Sequence, residues 1–189
     1  MLKLQNKSIL GLCLFALSVT SNANNIDERT QVFNIMKKYV ESTACGHTFE
    51  SSGDLNRTNI NNVYLISNDR DTGNTVYFVF WGGDVGCNVG SGTMSYYMSE
   101  VSRYSKSRPF LVQNNDAFGK NVNINFRFIQ NIRKIKNDEF EIISWNYADD
   151  KYGGVDGGNN FPANKFKYIV KNSDGGWHIS KQSLIEQNN

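Results

Sequence analysis

The sequence predicts an α+β protein in which one N-terminal helix packs on a curved, mainly antiparallel sheet of about seven or eight strands. Three observations lead to this fold class. Apolar residues recur at helical spacing near the N-terminus, and most of the remaining chain consists of short runs in which apolar and polar residues alternate. Turns rich in Gly, Asn and Asp separate these runs, as expected for antiparallel strands.

The first residues have the pattern of a bacterial signal peptide. Two lysines precede an apolar stretch, Ile9–Val19, which is too short to span a bilayer, and small residues lead up to Ala23. We expect cleavage after Ala23. Residues 1–23 are therefore interpreted as a signal peptide and residues 24–189 as a single globular α+β domain. The expected location is the periplasm or the space outside the cell.

The charge balance gives no reason to expect a nucleic acid or a membrane as partner. Removing residues 1–23 takes away two lysines and no acids, so 20 basic and 18 acidic residues become 18 and 18. A neutral exported chain lacks the basic excess that nucleic-acid binding needs. A lipid anchor at Cys13 is not expected either, because Leu12 precedes the cysteine and the apolar stretch mostly follows it.

The N-terminal helix is predicted from its cap and its apolar face. Asn25 and Glu28 have the spacing of a capping box, and Gly46 is expected to end the helix in a left-handed conformation. The residues predicted to form the apolar face are Val32, Phe33, Ile35, Met36, Tyr39 and Val40.

Cys45 and Cys87 are the two cysteines that remain after export, and they are expected to form a disulfide. The bridge would close a loop of about 43 residues and stabilise the fold by about 4 kcal/mol. The alternative is a reactive or metal-binding thiol pair, but the chain has no Cys-x-x-Cys spacing to support it.

The remaining elements are short strands. The run 75–81 is apolar on both faces and is expected to lie centrally in the sheet. Asp174-Gly175 is a hairpin signal, and the alternation breaks near Gln130, where we expect a bulge. The predicted strands are 62–67, 75–81, 93–104, 108–113, 122–128, 139–148, 165–171 and 177–180.

No combination of residues in the sequence predicts catalysis, so no catalytic residue, metal or cofactor is assigned. The two histidines lack ligand spacing, and the glycines of 82–92 lack the Lys-Ser/Thr ending of a phosphate loop. Two segments are instead predicted to be long loops, Trp81–Thr93 and Tyr147–Asn164, and long loops in compact domains often bind partners.

The function we predict is that of an exported, soluble, non-enzymatic binding protein. It would present its glycine- and acid-containing loops to a protein partner, as an inhibitor, an immunity protein or an accessory of a surface assembly does. The predicted contact residues are Trp81, Asp84, Asp149, Asp150 and Asp156.

Two alternatives belong to other classes. The first is a small periplasmic hydrolase or ligand-binding enzyme whose site is a cavity between helix and sheet, with Glu100 or Glu141 as its acid. The second is a calcium-dependent adhesion or assembly module formed by residues 149–160, where carboxylates occur among glycines and asparagines.

Overall fold

The computed structural model describes residues 23–49, 57–88, 92–158 and 160–188. The predicted signal peptide thus lies outside the described residues, apart from Ala23. The described chain is α+β, with one α-helix and two antiparallel sheets. The elements are α1 Ala23–Thr43, β1 Ala44–His47, β2 Val63–Asn68, β3 Thr75–Val85, β4 Ser95–Arg103, β5 Leu111–Asn114, β6 Ile129–Lys136, β7 Glu139–Asn146, β8 Asn164–Ser173 and β9 Gly176–Gln187.

The nine strands of the described chain form two sheets rather than the single curved sheet that we expected. The first sheet has the order β1-β3-β4-β5, and β2 also pairs with β3. The second is a meander in the order β6-β7-β8-β9. The prediction was wrong here because alternation in a strand shows which face is buried, but it does not show whether a helix or another sheet covers that face.

Strand β3 lies at the centre of the molecule, as its apolar character predicted. Tyr77, Val79 and Trp81 pack in the core that includes α1, whereas Phe78 and Phe80 pack in the core with the second sheet. The described elements therefore form three layers, helix, first sheet and second sheet. Both faces of β3 must be apolar because β3 is in the middle layer.

The helix contacts the first sheet through the predicted apolar face. Val32, Met36 and Val40 follow each other at intervals of four residues, and all three are fully buried. Each such side chain contributes about 1.5–3 kcal/mol by leaving water. The capping-box prediction was wrong, because the helix begins at Ala23; the side chain of Asn25 lies outside the described residues. Glu28 instead accepts a hydrogen bond from Arg103.

The end of the helix also differs from the prediction. Gly46 lies within β1 and does not have a positive φ. The helix passes directly into β1, so no left-handed residue is needed at its C-terminus. A glycine next to a helix end suggested a cap, but the pairing of β1 with the far end of β3 determines the backbone conformation at this position.

The run 122–128 is not a strand, although its residues alternate. Val122 and Ile124 are buried, but the backbone N–H of Val122 donates locally to Gly119 O. The run ends in a short 3-10 helix, Phe126–Phe128, and β6 follows it. The bulge expected near Gln130 is confirmed, since the β6–β7 register shifts between residues 129 and 131.

Candidate functional site

The predicted disulfide joins the start of β1 to the residues that follow β3. The two sulfur atoms of Cys45 and Cys87 are 1.99 Å apart and the Cα atoms are 5.0 Å apart. Cys87 has a φ of 57°, a left-handed conformation that is uncommon outside glycine. The N–H of Gly86 next to it donates to Thr43 O at 3.1 Å. The bridge therefore fixes the exit of β3 against the end of the helix.

The first five residues of the predicted loop Trp81–Thr93 belong to strand β3. β3 continues to Val85, and Gly82 and Gly83 pair there with Tyr96 and Ser95 of β4. A Cβ at Gly83 would lie 2.7 Å from the Trp81 ring, so glycine is needed at this position for close packing. The connection between β3 and β4 is thus limited to residues 86–94, here called the glycine loop, of which 89–91 lie outside the described residues.

Trp81 does not have the exposed position that a contact residue needs. Its side chain is fully buried, its ring stacks on Tyr97 at 4.7 Å, and its indole N–H donates to Ser99 Oγ at 2.8 Å. The reason is the face of β3 on which residue 81 lies, because its side chain packs in the core that includes α1.

The second predicted loop was Tyr147–Asn164, and the structure ends it one residue earlier, because Asn164 begins β8. Residues 147–163, of which 159 lies outside the described residues, are here called the long loop. Two of its carboxylates accept hydrogen bonds from its own backbone. Asp149 Oδ1 accepts from the backbone N–H groups of Lys151 and Tyr152 at 3.0 and 2.7 Å. Asp156 Oδ1 accepts from the N–H of Ala148 at 2.9 Å. Two of the three predicted acids therefore accept backbone hydrogen bonds within the loop, Asp149 in a local turn. All three residues are exposed.

Strands β8 and β9 hold the long loop in place. The buried side chain of Asn164 donates to Gly153 O at 2.9 Å and accepts from Gln187 Nε2 at 2.6 Å. Gln187 also donates to Tyr152 O at 2.8 Å, and the N–H of Val155 donates to Asn188 O at 3.2 Å. Hydrogen bonds therefore join the described part of the long loop to β8, β9 and Asn188.

The two loops meet at a groove of about 480 Å³, here called the loop groove. It is open to solvent, and the side chain of Phe161 at its edge is 65% exposed. Its volume is within the range of about 300–1,000 Å³ that is usual for binding pockets. The groove is lined by Met94, Tyr96, Arg127, Phe128, Ile129, Gln130, Trp145, Asn160, Phe161, Pro162 and Asn188.

Arg127 connects the two loops. Its guanidinium donates to Asn160 Oδ1 of the long loop and lies 5.2 Å from the centre of the Phe128 ring. It also approaches the glycine loop at Gly92 so closely that a Cβ there would clash with it. Gly92 has a φ of 88° as well. A side chain at residue 92 would therefore push Arg127 away from the groove.

Two aromatic rings of the groove, those of Tyr96 and Trp145, pack against neighbouring side chains. Tyr96 stacks on the buried Phe80 at 5.1 Å, and burial raises the pKa of its phenol. The Nζ of Lys165 lies 5.3 Å from the Trp145 ring centre and 2.9 Å from Glu186 Oε2. Rings held in this way, next to amide and guanidinium groups, can bind apolar side chains and peptide groups of a polypeptide segment.

The predicted contact residues do not line this groove. Asp149, Asp150 and Asp156 lie elsewhere in the long loop, and Asp84 lies at the end of β3, where its charge adds to burial in raising the pKa of Tyr97. Sequence reasoning missed the groove because Arg127 and Phe128 were assigned to a strand. The available signal was Phe161-Pro162, which contains the one phenylalanine of a loop rich in Gly, Asn and Asp.

The structure gives little support to the site geometries of the two alternatives. Between α1 and the first sheet, most of the described interface consists of fully buried side chains such as Met36, Val79 and Val101. A cavity of about 290 Å³ does lie between Arg29 of α1 and strands β2 and β3, but neither Glu100 nor Glu141 is among the described residues that line it. Glu141 is paired with Arg133 at 3.1 Å. Among the described residues, no group of three or more His, Cys, Asp or Glu side chains could hold a metal ion.

Comparisons with protein-family models, with curated proteins and with solved structures give no match for this chain. The helix of the described chain lacks the length of apolar sequence that crossing a membrane requires.

Proposed function

We propose that this protein is an exported, non-enzymatic binding protein that holds a segment of a protein partner in the loop groove. The observation that carries the proposal is the exposed aromatic groove at the meeting point of the two loops. Phe161 is 65% exposed at its edge, and Tyr96, Phe128 and Trp145 contribute to its lining. Large aromatic groups are enriched among the residues that contribute most to protein–protein affinity.

The energetics favour a partner that covers Phe161. Burying the exposed part of this ring would contribute about 1–2 kcal/mol to binding. Arg127 is held by Asn160 and by the Phe128 ring, so little side-chain entropy remains to be lost when the guanidinium forms a further contact. Peptide carbonyl groups and carboxylates are suitable acceptors for it.

The acids of the loops are proposed as contacts at the rim. Asp84, Asp149, Asp150 and Asp156 are retained in this role, whereas Phe161 takes the place of Trp81 as the aromatic contact. Charges at an interface rim act mainly on the rate of association and on the choice of partner. A partner with basic residues flanking an apolar segment would fit this arrangement.

The disulfide supports the proposed export. Disulfides persist in oxidising compartments such as the periplasm and are rare in the cytosol. The Cys45–Cys87 bridge also restrains the start of the glycine loop, whose last residue, Met94, lines the groove. A restrained loop loses less conformational entropy when it binds.

Affinity capture with matched variants tests the proposal. The oxidised protein is immobilised and exposed to periplasmic and secreted extract of the native host, alongside Phe161→Ser and Leu111→Ser. Leu111 is a suitable control because it is 56% exposed but lies on β5 in the first sheet. We expect a protein that wild type and Leu111→Ser retain equally and that Phe161→Ser retains at least tenfold less. If no captured protein distinguishes the two variants, the groove is not the binding site.

A further inference from the structure

A second cavity, of about 290 Å³, lies where α1, β2, β3 and β6 come together, and we call it the basic pocket. It shares no lining residue with the loop groove. Two cationic side chains from separate elements line it, Arg29 of α1 and Lys134 of β6. Tyr64 and Tyr77 also line the pocket.

The guanidinium of Arg29 is only partly satisfied. Its Nη2 donates to Ile60 O at 2.8 Å and to Val63 O at 2.9 Å, which fixes the orientation of the side chain. Its Nε is buried and has no hydrogen-bond partner among the described residues. A buried donor without an acceptor costs about 1–3 kcal/mol, more when it is charged. Because this Nε is closed to solvent, Arg29 would act on a ligand in the pocket through its positive charge, which the two carbonyl groups do not neutralise.

Lys134 brings a second positive charge to the same cavity. Its Nζ donates to Leu65 O and to Asn137 Oδ1. Burial lowers the pKa of Lys134, and the nearby charge of Arg29 lowers it further. Both contributions oppose the protonated form, so an anion between the two side chains would relieve their repulsion.

The described acids near the pocket leave this positive charge uncompensated. Glu28 contacts the wall of the cavity, since the hydroxyl of the lining residue Tyr77 donates to it at 3.4 Å. Glu28, however, is already paired with Arg103. Within the described part of the chain, no carboxylate forms an ion pair with Arg29 or Lys134.

We propose that the basic pocket is a binding site for a small oxyanion, a carboxylate or a phosphate, held between Arg29 and Lys134. Oxyanions present several acceptors at once, and guanidinium and ammonium groups are their usual partners in proteins. Tyr64 and Tyr77 form further parts of the pocket wall, and the hydroxyl of Tyr77 already donates to Glu28. The inference does not depend on the proposed function of the loop groove.

Titration with inorganic phosphate and with acetate tests the proposal. Each anion is added to the oxidised protein at constant ionic strength, with chloride as the reference, and the melting temperature is followed. We expect a saturable rise with at least one of the two oxyanions. A larger response to phosphate identifies a tetrahedral ligand, and a larger response to acetate identifies a carboxylate. If neither anion differs from chloride, the proposal is overturned.

Two further measurements separate this site from general effects of anions. Lys134→Gln should weaken the response at least tenfold, whereas Lys120→Gln, which removes an exposed lysine elsewhere, should leave it unchanged. Because Lys134→Gln can also disturb the fold, the Arg29 Nε–H resonance of the wild-type protein is followed by NMR as the anion is added. A saturable shift of that resonance supports the site. An unchanged resonance, or equal responses of the two lysine variants, contradicts it.

Discussion

Replacing Cys45 and Cys87 together by serine should destabilise the protein by about 4 kcal/mol. The double variant is the appropriate perturbation, because a single replacement leaves a free thiol that can form other disulfides. The described residues around the bridge have other contacts, and we expect these to remain in the double variant. Gly82 still donates to Thr48 Oγ1 at 2.8 Å, and β1 still pairs with β3. The loss of stability should therefore come mainly from the unfolded chain.

The magnitude follows from the length of the closed loop. The two cysteines are 42 positions apart. Closing a loop of this length removes about 13 cal/mol/K of entropy from the unfolded chain, which corresponds to about 4 kcal/mol at 25 °C. For a domain of this size, each kcal/mol shifts the melting temperature by about 2–4 °C. The variant should therefore melt about 8–16 °C below wild type.

Urea unfolding followed by circular dichroism measures this loss directly. The double variant and the wild-type protein in reductant should unfold at the same urea concentration, well below that of the oxidised wild type. The slope of the transition should increase in both, because an unbridged chain exposes more surface. A loss of stability under about 1 kcal/mol would show that the bridge does not restrain the unfolded chain as described.

Three other predictions follow from particular residues. Gly83→Ala should destabilise the protein by about 1–3 kcal/mol in the same urea assay, because its Cβ would meet the Trp81 ring at 2.7 Å. Gly46→Ala is the control and should be close to neutral, because no atom lies within 4 Å of the Cβ position at residue 46. Burial raises the pKa of Tyr77 and of Tyr168 to about 12. Since an unfolded tyrosine ionises near pH 10, the free energy of unfolding should fall as pH rises from about 10 to 12; a constant value over that range would contradict these positions. Calcium should leave the melting temperature the same as a chelator does, because the described carboxylates of the long loop are not grouped closely enough to hold a metal ion. A rise in the melting temperature with calcium would contradict this prediction.

The sequence predicted the helix face, the central strand and the disulfide because each leaves a local or chemical pattern. Val32, Met36 and Val40 have helical spacing, and both faces of β3 are apolar. The Asp174-Gly175 hairpin is confirmed as well, with Ser173 paired to Gly176 across the turn. Such features depend on residues close together in the chain or on the chemistry of a single residue type.

The features that sequence reasoning missed depend on pairing between distant segments. Gly82 and Gly83 look like loop residues, but β4 on one side and β1 on the other extend β3 through them. Val122 and Ile124 look like strand residues, but no strand pairs with them in the described chain. The loop groove depends on Arg127 meeting Asn160, a contact between segments 33 positions apart that neither local pattern indicates.

Photo-cross-linking in the native host tests the binding role of the loop groove most directly. A photoreactive phenylalanine analogue is placed at Phe161, or at Tyr104 as a control that is 74% exposed and lies just after β4. Illumination of intact cells should join position 161, but not position 104, to one protein, and Arg127→Ala should reduce the yield of this adduct at least tenfold. Equal labelling from the two positions, or no adduct from position 161, would contradict the account.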